Sequence, residues 1–128
     1  MNVFESNLSH ICEELSEEPG VRFVGVINKF GKVIATSFKE KVVPYISDQV
    51  NRDLYMKHCL EITMKKDFDE FLGPLEYIST RRKKILMVTI PVETYTLIIS
   101  AKPTVDPEKI AKLAINFFKD SIRNLPST

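Results

Sequence analysis

Gly25-Val-Ile-Asn-Lys-Phe-Gly31-Lys-Val-Ile-Ala-Thr-Ser37 is the stretch whose reading decides the fold. An apolar, β-branched run ends on Asn28-Lys-Phe-Gly31, and a second β-branched run leaves it. Such residues pack well on a pleated strand. A glycine in the turn supplies the positive φ that a tight antiparallel connection needs. The reading is a hairpin, with strands over Val21 to Ile27 and Lys32 to Phe38. Val26, Ile27, Val33 and Ile34 are its expected core residues.

Upstream, Phe4, Leu8, Ile11, Cys12 and Leu15 recur at helical spacing, and Pro19-Gly20 stops the helix. Downstream, Lys39 to Pro44 is a connection. Ser47 is placed to cap a second helix, with Asp48 favourable in its first turn. That helix carries Val50, Leu54, Tyr55, Met56, Cys59, Leu60, Ile62 and Met64. So wide an apolar arc predicts packing on two partners, one the sheet and the other a second copy of the chain.

Asp67 to Pro74 reads as a loop, and Leu75 to Thr80 as a third strand suited to a sheet edge. After the hydrophilic turn Arg81-Arg-Lys-Lys84, Ile85 to Ile90 is apolar on both faces and predicts a central strand. Pro91-Val-Glu turns the chain into a fifth strand, Thr94 to Ala101. Asp106-Pro107-Glu108 opens the last helix, with aspartate as N-cap and proline at the first helical position. Ile110, Leu113, Ala114, Phe117, Phe118 and Ile122 form its apolar face, and Asn124 to Pro126 ends it. The expectation is an α+β domain over residues 1–128, ordered α-β-β-α-β-β-β-α. Its single five-stranded antiparallel sheet is flanked by helices.

Composition narrows the function classes. A formal net charge of +1 produces no global field for nucleic acid or anionic membrane. No apolar stretch approaches the roughly 20 residues that cross a bilayer, and Met1 to Leu15 lacks the plan of a signal peptide. Cytoplasm is the expected compartment. Cys12 and Cys59 read as reduced, partly buried thiols and not as a disulfide. There is no G-x-x-x-x-G-K-[ST] and no G-x-G-x-x-G, so the chain is not expected to be a GTPase itself.

The hairpin quoted above, with Leu97-Ile-Ile-Ser-Ala-Lys-Pro-Thr before the final helix, resembles the roadblock/dynein light-chain domain. That family is related to longin and profilin-like folds. The leading helix favours roadblock, because longin domains begin on the first hairpin. The chain departs from the pattern in its polar second helix (Asp53, Lys57, His58, Glu61) and in the Arg81 to Lys84 turn. It resembles a divergent branch, of archaeal style in its lysine and isoleucine content. The resemblance implies a homodimer joined edge to edge through the second helix and third strand. The interface residues it suggests are Val50, Leu54, Tyr55, Met56, Tyr77 and Ile78. It also implies a non-catalytic platform that regulates or tethers a partner such as a small GTPase.

No chemical constellation stands out beside this. His10 and His58 fall on different helices. His58 and Cys59 are adjacent on one helix and point apart, which disfavours a nucleophile pair. Asp67, Asp69 and Glu70 lack the loop pattern of a cation site and read as a solvated loop anchored by Phe68 and Phe71. Arg81, Arg82, Lys83 and Lys84 read first as a turn that discourages edge aggregation, and second as a contact for anions or an acidic partner. No cofactor or metal is expected, and no enzyme. The competing reading is a small-molecule sensor of PAS-like or profilin-like type, with a pocket lined by Tyr55, Tyr77, Tyr95 and Met87.

Overall fold

A computed structural model describes residues 3–39 and 48–123. The expected Ser47 cap and the helix stop at Asn124 to Pro126 lie outside the described residues. The elements are α1 (Val3–Ser16), β1 (Val21–Ile27), β2 (Val33–Phe38), α2 (Asp48–Lys66), α3 (Asp69–Leu72), β3 (Ile78–Arg81), β4 (Leu86–Val92), β5 (Tyr95–Ala101) and α4 (Pro107–Arg123). The expected order is present. One short helix, α3, stands where a loop was expected.

The strands form one sheet in the order β2-β1-β5-β4-β3, and every neighbouring pair is antiparallel. The first hairpin is closed by Asn28, whose Oδ1 accepts hydrogen bonds from the amides of Phe30 and Lys32. Gly31 follows at φ 82°, the left-handed region that glycine enters without strain. The last turn sits at Glu93-Thr94, two residues later than expected, and β4 runs through Pro91. Proline is tolerated there because β3 pairs with β4 only as far as Thr89. Beyond that point β4 has an open side, where a missing N–H leaves no ladder bond unmade. β3 itself begins at Ile78, later than the expected Leu75, because residues 73–77 approach the sheet without joining it.

Strand alternation sends side chains to two unequal layers. On one face Val24, Val26, Val88, Leu97 and Ile99 meet α1 and α4 through Leu8, Leu15, Ala111, Ala114 and Phe118. On the other, Phe23, Ile27, Met87 and Ile98 meet Tyr55 and Cys59 of α2. Among the described residues the first cluster holds 18 buried residues and the second 6. The α1/α4 layer is therefore the main core, and α2 rests on a thin one. Val26 and Ile27 are buried as expected of the hairpin. Ile34 is half-buried, and Val33 is exposed because its edge strand turns that residue toward the thinly covered face.

Candidate protein-interaction surface

α2 turns Tyr55, Cys59 and Ile62 inward at 3- and 4-residue spacing. Tyr55 stacks on Phe23 with ring centroids 5.9 Å apart. The Phe23 ring lies over Gly25, where an added Cβ would come within 2.7 Å of it, so the missing side chain makes room for the aromatic stack. At the other end of β1, Met56 leans on Gly31 of the hairpin turn. Polar groups also lie beneath α2. His58 Nδ1 and Thr89 Oγ1 are 3.0 Å apart. Burial holds the His58 imidazole below the ordinary histidine value, with Glu61 opposing and Arg82 reinforcing the shift. Burial likewise raises the Cys59 thiol, against a smaller opposing effect of its contact with Thr96. His58 and Cys59 thus engage different strands and form no nucleophile pair. Among the described residues, no three of histidine, cysteine, aspartate and glutamate are grouped to hold a metal ion.

The outer side of α2 is the less expected one. Val50, Met56, Leu60 and Met64 are exposed, Leu60 at 55% and Met64 at 63%. The apolar series continues past the helix into Phe68 and then α3, where Phe71 is 76% and Leu72 84% exposed. Single exposed apolar residues are normal on a protein surface, so it is the number of them along α2 and α3 that makes this side a candidate interaction surface. β3 is a terminal strand of the sheet, and among the described residues no strand pairs with its outer edge.

The residues expected at an interface divide. Val50 lies on the outer side of α2, Met56 lies on its flank against Gly31 and is partly exposed, and Ile78 opens β3 opposite Thr89. Leu54 is half-buried on the inner side, and Tyr55 is 8% exposed and taken by its own sheet. Tyr77 packs on the opposite, α1/α4 face, where its hydroxyl donates to the Glu108 carboxylate of α4. Leu60, Met64, Phe68, Phe71 and Leu72 were not among the expected interface residues. Their recurrence at about four-residue steps from Met56 was the available signal. Arg81, Arg82, Lys83 and Lys84 are all exposed at the β3–β4 turn. Arg81 is anchored through a hydrogen bond to the Val105 carbonyl, and the Arg82 amide closes the turn onto Ile85.

The sensor residues do not converge. Tyr55 and Met87 lie under α2, while Tyr77 and Tyr95 pack against the other cluster. An open groove of about 440 Å³ runs between Leu75, Glu76 and Pro91 on one side and Lys112, Ile115 and Lys119 of α4 on the other. None of the four lines it.

The fold has solved counterparts. The chain superimposes on the gliding protein MglB of Thermus thermophilus with a TM-score of 0.75 at 13% identity, over 98% of this chain and 95% of that one. Against MglB of Myxococcus xanthus the TM-score is 0.72 at 11% identity, over 100% and 97%. Against a Roadblock/LC7 domain from Streptomyces avermitilis it is 0.70 at 8%, over 90% and 94%. The fold is that of a Roadblock/LC7 domain, as the hairpin and element order implied. No curated protein matches the chain in sequence. The chain belongs to the family of unknown function DUF6659, whose model matches residues 1–122.

Proposed function

We propose that this chain is a non-catalytic interaction domain that works as a cytoplasmic homodimeric platform and regulates or tethers a partner protein, with a small GTPase the first candidate. The run of exposed apolar residues along α2, Phe68 and α3 carries this reading, because an interaction domain has a use for such a surface and an isolated monomer has none. The Roadblock/LC7 fold supports it, since that family builds dimeric platforms. The terminal position of β3, whose outer edge no described strand covers, supports joining of two sheets. The candidate GTPase rests on the family resemblance alone.

Size-exclusion chromatography with light scattering tests the dimer. A dimer is expected at tens of micromolar, where a specific interface of standard size persists. A strict monomer at that concentration overturns the homodimer. Capture of a nucleotide-binding protein from the source organism, weakened by Leu60→Asp, is the expected outcome for the partner. Capture that ignores Leu60→Asp would show that the partner needs neither this surface nor the dimer built on it.

A further inference from the structure

The homodimer proposed above leaves open what sets its register. We infer that a second copy of the chain docks on the β3 edge with its basic β3–β4 turn against the acidic and aromatic segment of residues 67–76, a reciprocal charge clasp made twice per dimer. This rests on the homodimer reading and adds to it the groups that fix orientation and salt response.

The geometry follows from the edge and the helix together. An isologous dimer places the same surface of both copies about a two-fold axis. α2 covers one face of the sheet, and its outer apolar side needs a partner on that same face. Only an axis perpendicular to the sheet puts both α2 helices on one side. That axis makes the two β3 strands antiparallel. The start of β3 in one copy then lies beside the end of β3 in the other. A ladder centred on the four residues Ile78–Arg81 sets Ile78 beside the partner's Arg81 and Glu76 beside the partner's Lys83.

The two ends of β3 are chemically opposite. Before it come Asp67, Asp69, Glu70 and Glu76, with Phe68, Phe71 and Leu72 exposed among them. After it come Arg81, Arg82, Lys83 and Lys84. Antiparallel pairing brings each acidic end to a basic end. A parallel arrangement would set like charges together, which is repulsive. Both ends are held in place. Asp69 Oδ1 accepts the Leu75 amide at 3.1 Å, tying α3 to the approach to β3. Arg81 and Arg82 fix the turn as described above. Of these charged residues, none forms an ion pair with another described residue of its own chain. Among the described residues, all three ion pairs fall within single helices.

Charge reversal and a mixing experiment test the clasp on the full chain. The basic variant is Lys83→Glu with Lys84→Glu. The acidic variant is Asp67→Lys with Glu70→Lys, which spares Asp69 and its structural bond. Each variant alone is expected to weaken self-association about 10-fold or more, since juxtaposed like charges across an interface cost several kcal/mol. An equimolar mixture is expected to recover a heterodimer near wild-type affinity. Raising the salt from about 0.05 M to about 1 M is expected to weaken the wild-type dimer several-fold, because the screening length falls to about 3 Å. Far-ultraviolet circular dichroism confirms that the variants are folded. A dimer that ignores both reversals and salt, yet dissociates in Leu60→Asp, overturns the clasp and leaves the homodimer standing. A monomeric wild-type chain overturns both.

Discussion

Asp106 shows how far one residue can be read without a structure. Its carboxylate Oδ1 accepts the Glu108 amide at 3.0 Å, one residue ahead of Pro107, as the Asp-Pro-Glu triplet implied. Asp106→Ala is expected to lower stability by about 1 kcal/mol, the usual loss of an N-cap, measured as a shift in denaturation midpoint. His58 was legible only as a lone histidine. Its partner Thr89 is 31 positions away in the chain, and no local pattern links the two. Because burial depresses its folded value below 6.5, the unfolded chain binds the proton more readily. The stability this neutral imidazole secures is present above pH 6.5 and is lost as pH falls from there through the folded value. Thermal melts at about pH 7.5 and about pH 5, on either side of the histidine range, are expected to differ more for wild type than for His58→Gln. Equal pH dependence in the two would refute the assignment.

At the scale of the element, α2 separates what spacing reveals from what packing decides. Its apolar arc was wide enough to predict two partners, and the sheet is one of them. Which residues face inward was not legible, because α2 carries two apolar stripes, one through Tyr55, Cys59 and Ile62 and one through Met56, Leu60 and Met64, and spacing alone does not say which meets the sheet. Tyr55 was expected outside and lies inside, stacked on Phe23, whose ring fills the space that Gly25 leaves on the sheet. Tyr55→Ala is therefore expected to destabilise the fold by about 3 kcal/mol, as large-to-small core substitutions do. The double change Leu60→Asp with Met64→Asp is expected to leave the monomer's stability within about 0.5 kcal/mol, typical of surface positions. It should abolish self-association in light scattering. α3 escaped sequence reading because four residues are too few to show helical periodicity. Its Gly73 amide closes onto the Asp69 carbonyl.

For the whole molecule, the imbalance between the two layers is the dominant fact. One face of the sheet is sealed by α1 and α4, and Cys12 sits in that seal with no exposed surface. Burial, with a smaller push from Glu13, raises its thiol to about 12, so almost no thiolate exists at neutral pH. Modification of Cys12 by a thiol reagent is expected to proceed only through global unfolding. Its rate should fall in step with added stability, and fast labelling of the native protein would contradict the sealed core. Cys59, under the thinner α2 layer, is expected to label first. The order of labelling thus reports which layer opens first.

The sequence by itself determined the element order, the hairpin turn at Gly31, the capped start of α4 and the interior, non-edge place of β4. Each of these follows from residues within a turn or two of one another, where spacing and backbone preference decide the outcome. Only the tertiary structure decided which side of α2 meets the sheet, where β3 begins, how Pro91 fits inside a strand, and that Tyr77 and Ile78 face opposite ways. These depend on pairing register and on which neighbour fills which space, and such contacts join residues far apart in the chain. The apolar series from Met56 to Leu72 belongs to both accounts. Its four-residue rhythm was written in the chain, but its exposure became visible only once the sheet had taken the other side of the helix.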